Sequence, residues 1–229
     1  MTSNKEAEAI LALMQLSDSA LPIGGYSHSW GLETWNQWGR VSDATSARSS
    51  IETLLVQSIA PQDGVAASIA YRAAKNTDLT RFQELNTYLS ASKWSSESFQ
   101  ASIRMGSRLL KLANDTKMVS DLQGLVHSNF DCHHSAVYGW LAGCAVFDEL
   151  FTVSGYLQNS VNCLISACVR LIPLGHTEGQ QLLVTLRAKV LKEAQLCLGK
   201  DLQDIQAFSP LHEYACFEHE SLYSRLFQS

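Results

Sequence analysis

Apolar residues recur along the chain at the spacing of one helix face. Ile51, Leu54, Leu55, Ser58 and Ile59 follow the i, i+3, i+4, i+7, i+8 pattern. Phe99, Ile103, Gly106, Leu109 and Leu110 repeat it, and Leu183, Leu186, Val190, Ala194 and Cys197 form a third stripe. No long segment alternates as a half-buried strand does. The breaks follow helix grammar. Gly39 can end one helix, and Ser42 or Asp43 can cap the next. Pro61 suits a first helical turn, where its missing N–H costs little. Thr80 with Gln83 resembles a capping box. Asn114-Asp115 ends another helix, Pro173 interrupts near Gly175, and Gly199 precedes Asp201. The pattern predicts an all-α chain of about ten helices with short connections, forming one domain over residues 1–229.

Residues 136–147 carry Gly139 and Gly143 among several alanines. Four apart on a helix, they leave one face without side chains and permit close backbone approach. Packing inside the chain and a subunit interface both fit.

Composition sharpens this picture. Of 229 residues, 46% are hydrophobic and 17% charged, which argues for a sizeable core and against disorder. The net charge is −5 and the isoelectric point about 5.8. Lys and Arg occur singly, without the basic stripe of a nucleic-acid binder. A basic partner surface suits the chain better than phosphate. The six cysteines form no CxxC pair, and most sit in apolar helical stretches as small hydrophobes, in keeping with a reducing compartment. The chain starts without a basic-then-apolar signal pattern. The uncharged run over 150–169 holds Gln158, Asn159, Ser160 and Asn162 at its middle, a poor membrane span. A soluble, cytoplasmic protein is expected.

Candidate chemistry is sparse. In LPIGGYSHSWGLE, residues 21–33, Pro22, Gly24 and Gly25 make a turn, and Ser27 or Ser29 can cap the next helix. No Lys-Ser/Thr comes after the glycines, so this is no phosphate-binding P-loop. His28 stands alone, a structural or interface histidine. Asp131-Cys132-His133-His134 resembles a metal cluster, yet four adjacent side chains cannot all converge on one ion. It reads either as a helix start with one buried histidine or as a transient soft site for nickel. A metal-dependent hydrolase using Cys132, His133 and His134 is the enzymatic alternative, and a plain structural helical interaction module the other. His212 and His219, seven apart, would sit two helical turns (~10 Å) from each other, too far to share an ion. No nucleophile elbow, Walker or dinucleotide motif is present, and nothing points to a resident cofactor or metal.

Five blocks, taken together, are similar to the UreF family of urease accessory proteins. Residues 21–33 resemble its LPxGxYxHSxGLE, with Pro22, Gly24, Tyr26, His28, Ser29, Gly31 and Glu33 matching. Glu97-Ser98-Phe99-Gln100 with Gly106 resembles its mid-chain helix, and His134 with Gly139 its H-x4-G helix. Arg170, Pro173, Gly175, Gly179 and Gln180 resemble its R-x-x-PLGQ-x-x-GQ block, with His176 in place of the Gln. The end, HESLYSRLFQS over 219–229, resembles its HExLYSRLFxS, carrying His219, Glu220, Tyr223, Arg225, Leu226 and Phe227. The resemblance implies a non-catalytic all-α homodimer. It implies a bridge between the UreD/UreH scaffold and the UreG GTPase that assists GTP-dependent nickel insertion into apo-urease. It also implies a tail over 219–229 that docks on the UreD/UreH-type partner and frays without it.

Overall fold

The computed structural model describes residues 4–119, 122–126, 130–145, 148–206 and 209–228. Parts of the predicted segments, residues 1–3, 146–147 and 229, lie outside these. The helices are α1 (Asn4–Leu16), α2 (Leu32–Gln37), α3 (Ala44–Leu54), α4 (Val65–Lys75), α5 (Leu79–Ser92), α6 (Ser96–Asp115), α7 (Gln123–Val126), α8 (His134–Cys144), α9 (Glu149–Leu171), α10 (His176–Cys197) and α11 (Pro210–His219). Among the described residues there is no strand, and the fold is all-α. No helix is long and apolar enough to cross a membrane among the residues described.

Two helices form the centre because each carries a long run without Asp, Glu, Lys or Arg. Val65 to Tyr71 of α4 and His134 to Gly143 of α8 are buried without a break. Their backbones touch. A methyl group placed on Gly139 would overlap the Ala67 carbonyl, and one on Gly143 would lie 2.7 Å from the Tyr71 carbonyl oxygen. The glycine face is therefore spent inside the chain, and no second copy can reach it. Gly106 of α6 does the same against the Cys132 carbonyl. Of the three apolar stripes, that of α6 packs on this centre, while those of α3 and α10 pack on α9 and on residues 55–64. Phe99, Ile103, Ile59 and Leu183 are only half-buried, and Ala101, Met105 and Ala113 complete the α6 face instead.

Gly139→Val is expected to force α8 off α4 and to lower stability by at least about 1–3 kcal/mol, the usual cost of overpacking. Gly175→Ala, at φ −71 on an exposed turn, should change little. Urea midpoints of the two variants check this, and equal midpoints would count against the close α4–α8 contact.

Most predicted boundaries hold. Asp43 caps α3 in a reciprocal box with Ser46, α6 ends at Asp115, and Gly39 and Gly199 adopt φ of +71 and +70 just past helix ends. Two differ. The cap of α5 is Asp78, whose carboxylate accepts from the Arg81 N–H at 2.9 Å. Pro61 opens no helix: it sits inside a π-helical stretch, Leu55–Gly64, that joins α3 to α4 without a break. A proline lacks the N–H that would reach the carbonyl four residues back and crowds that carbonyl. The wider winding relieves the crowding, and the Ser209 hydroxyl donates to the freed Gln57 carbonyl at 2.5 Å. This stretch turns Ser58, Gln62 and Asp63 toward the interior.

Candidate functional site: the loop–tail latch

Residues 21–33 fold as a tight loop because three positions lie at positive φ: Gly24 at +93, Trp30 at +54 and Gly31 at +79. Gly31 is the N-cap of α2, and a Cβ there would meet Cys216, Ala215 and His212 of α11. No serine side chain caps α2 in the usual way. Ser29 Oγ instead accepts the Glu33 N–H at 3.4 Å, and Ser27 Oγ donates to the Gly24 carbonyl at 2.8 Å. The loop thereby delivers Glu33, buried, beneath the end of α11.

There Glu33 meets the tail. His219, fully buried at the last turn of α11, places Nε2 2.9 Å from Glu33 Oε2 and Nδ1 2.7 Å from Glu97 Oε2 of α6. Each ring nitrogen thus faces a carboxylate oxygen, one on either side of the imidazole. Glu33 also accepts the Leu226 and Phe227 backbone N–H groups at 2.6 and 3.1 Å. Arg225 donates to Glu97 Oε1 at 2.7 Å, and the Gln228 N–H donates to the Ser27 carbonyl at 2.8 Å. Phe227 is buried. Between its ring and that of Tyr26 lies the Arg170 guanidinium, 4.2 and 3.8 Å from the ring centroids. Such stacking adds roughly 0.5–2 kcal/mol per ring, more where water is excluded.

Residues 219–228 are therefore held against their own chain. The expectation of a loose end rested on its polar, terminal character, and it missed that Glu33 and Glu97, distant in sequence, supply anionic seats for it. Arg225 is engaged in its own chain, on Glu97. Of the predicted residues, the latch brings together Tyr26, Glu33, Arg170, His219, Arg225, Leu226 and Phe227. Glu97 was read only as part of a helix match, and no local signal marked it as a seat. His28 is buried beside Trp30, its pKa lowered to about 4 by burial and by Arg104, Arg108 and His219. Pro22, Tyr223 and Glu220 face solvent. Pro173, Gly175, Gly179 and Gln180 lie away from the latch, at the α9–α10 turn. Gly179 packs on Ile165 and Val169 there, Glu178 caps Gly175, and Gln180 is exposed.

The Cys132–His134 run does not converge. His133 is held by Ser90 and Ser102, each at 3.0 Å, and Cys132 Sγ turns toward the Phe130 carbonyl. His134 turns toward a separate interior chamber. Among the described residues no three His, Cys, Asp or Glu side chains are grouped to hold a metal ion. His212 and His219 also part company: His212 bonds Ser58 and the Trp30 carbonyl, both at 3.1 Å.

The UreF family model matches residues 41–187. The chain belongs to the UreF family. Similar proteins named urease accessory protein UreF span nearly the whole chain. That of Actinobacillus pleuropneumoniae serotype 5b is 32% identical over 222 residues, covering 95% of this chain and 98% of the relative. That of Haemophilus influenzae strain PittEE is 30% identical over 232 residues, covering 100% and 99%. That of Geobacillus kaustophilus is 32% identical over 222 residues, covering 97% and 99%. The latch joins segments on both sides of the UreF family-model match: its loop lies before residue 41 and its tail after residue 187.

Proposed function

We propose that this UreF-family chain is a non-catalytic adaptor of urease maturation. It works in the cytoplasm as a homodimer of one-domain subunits, bridging a UreD/UreH-type scaffold and the UreG GTPase so that nickel enters apo-urease. The observation that carries this reading is end-to-end similarity to proteins named urease accessory protein UreF. The surface supports it. Beside the latch, Trp38 and Tyr214 stack at 5.7 Å, and Phe217, Tyr223 and Leu226 are exposed. Aromatic residues on an ordered frame make good contact anchors, since little freedom remains to be lost on binding. Glu220 and the chain's negative charge favour a basic rim on the partner. The scaffold-facing surface in this proposal is the exposed side of the latched tail, with Tyr26, Tyr223 and Leu226 as contacts. His219, Arg225 and Phe227 hold it in shape from behind.

The test is co-expression of apo-urease with its other accessory proteins, with and without this chain, scoring nickel content. Equal nickel content would remove the adaptor role. Lacking any P-loop, the isolated protein is expected neither to bind nor to hydrolyse GTP, and stoichiometric GTP binding in a calorimeter would contradict the division of labour. Tyr223 separates contact from folding, because its side chain is fully exposed. Tyr223→Ala should leave stability within about 0.5 kcal/mol yet weaken capture of the scaffold protein about tenfold or more. Unchanged capture would move the interface off the tail.

A further inference from the structure

Behind the loop lies a chamber with about 70 Å³ open to the centre of a water-sized sphere. At roughly 10–15 Å³ per water it has room for about five. The latch does not use it. Most of its wall is apolar, from residues such as Leu54, Ile59 and Met105, but it also carries Gln62 and Asp63 from the π-helical stretch, Lys93 just past α5, His134 from α8 and Glu213 from α11, with exposed Asp18 at the rim.

Two of these groups lack a partner. His134 is 8% exposed, and its Nε2 makes no hydrogen bond. Glu213 is half-buried, and its Oε2 atom is buried and makes no hydrogen bond. Orphaned buried polar atoms are uncommon and cost on the order of 1–3 kcal/mol each, so an occupant is called for. The wall that carries Gln62 and Asp63 is π-helical, a winding frequent at functional sites. Charge selects the occupant. Asp18, Asp63 and Glu213 outnumber Lys93, whose ammonium is spent on Asp63 at 3.5 Å and Gln62 at 3.2 Å. Burial holds the His134 ring neutral, with its pKa lowered to about 4, so Nε2 can accept. Because the acceptors are not grouped for a metal ion among the described residues, they suit a ligand whose donors point in different directions.

We propose that the chamber binds a small hydrogen-bond-donating cation of the amidinium class, with its N–H groups on Glu213 Oε2 and His134 Nε2. The site stands apart from the adaptor role, and its test involves no urease component. The full-length protein, labelled at the Met105 methyl that lines the chamber, is titrated with acetamidinium chloride at constant ionic strength and followed by NMR. Acetamide, its neutral counterpart, and tetramethylammonium, a cation without N–H groups, serve as comparisons. Acetamidinium is expected to shift the Met105 signal saturably, with acetamide at least tenfold weaker and tetramethylammonium without saturable effect. Glu213→Gln, verified as folded by its melting curve, should weaken acetamidinium at least tenfold. The absence of a saturable shift would overturn the proposal, as would an equal response to acetamide or tetramethylammonium, or undiminished binding in Glu213→Gln. The comparison ligands act on the unaltered protein, so the outcome does not depend on the variant folding.

Discussion

Acidification from pH 6.5 to about 4 is expected to destabilise this fold steeply. His28, His133 and His134 are buried, and each has its pKa lowered from 6.5 to about 4, burial being the largest cause. Arg104, Arg108 and His219 add to the effect at His28, and Lys93 at His133 and His134, where Asp63 opposes it. The native state keeps these rings neutral, while the unfolded chain takes up a proton on each below 6.5. Unfolding therefore binds protons throughout the window, and stability falls as pH falls. Each ring contributes up to about 1.4 kcal/mol per pH unit, or roughly 3 kcal/mol across the window. Above pH 6.5 both states are neutral at these positions and this contribution is complete. Urea midpoints at pH 7, 6, 5 and 4.5 measure the slope. His133→Gln, which can still bond Ser90 and Ser102 but does not titrate, should flatten it. A pH-independent midpoint, or an unchanged slope in that variant, would contradict the burial of neutral imidazoles.

His219→Ala should be among the most damaging single changes to the latch. It empties the position between Glu33 and Glu97, whose side chains are only 6% and 17% exposed. Stripping one partner from a buried charge pair costs about 3–5 kcal/mol, because the remaining charge keeps its desolvation penalty. The lower end applies here: Glu97 retains Arg225, and Glu33 retains the Leu226 and Phe227 N–H groups. Arg225→Ala, by contrast, removes a side chain that is 40% exposed and should cost under about 1 kcal/mol. Hydrogen exchange at the Leu226 and Phe227 amides adds a local reading. Both should lose protection in His219→Ala, and a protected pair with wild-type stability would show that the imidazole does not hold the tail.

The legible parts of the fold were those set by neighbours in sequence. The Asp43 cap, the end of α6 at Asp115 and the turns at Gly39 and Gly199 depend on side chains within a few residues, so composition and spacing exposed them. Apolar periodicity located the helices for the same reason: one face must leave water, and the 3.6-residue repeat shows which. Pro61 was misread because its effect depends on what happens to the Gln57 carbonyl. Ser209, more than 150 positions away, settles that.

The candidate site divides in the same way. Motif spacing alone marked the loop over 21–33 and the end over 219–229 and linked both to the UreF family, and the missing P-loop was visible as an absent pattern. Three things were decided only in three dimensions. Gly139 and Gly143 left a smooth helix face, but it took the backbone of α4 to occupy it. Cys132, His133 and His134 adjoin in sequence, but neighbouring side chains leave a chain in different directions: Ser90 of α5 and Ser102 of α6 hold His133, while His134 faces the chamber. The tail carried polar and aromatic residues that by themselves promise a frayed end. Its order comes from Glu33, Glu97 and Arg170, brought from three other helices, because charges withdrawn from water hold whatever satisfies them. A pattern along the chain reports which groups must be satisfied, and only the packed structure reports by whom.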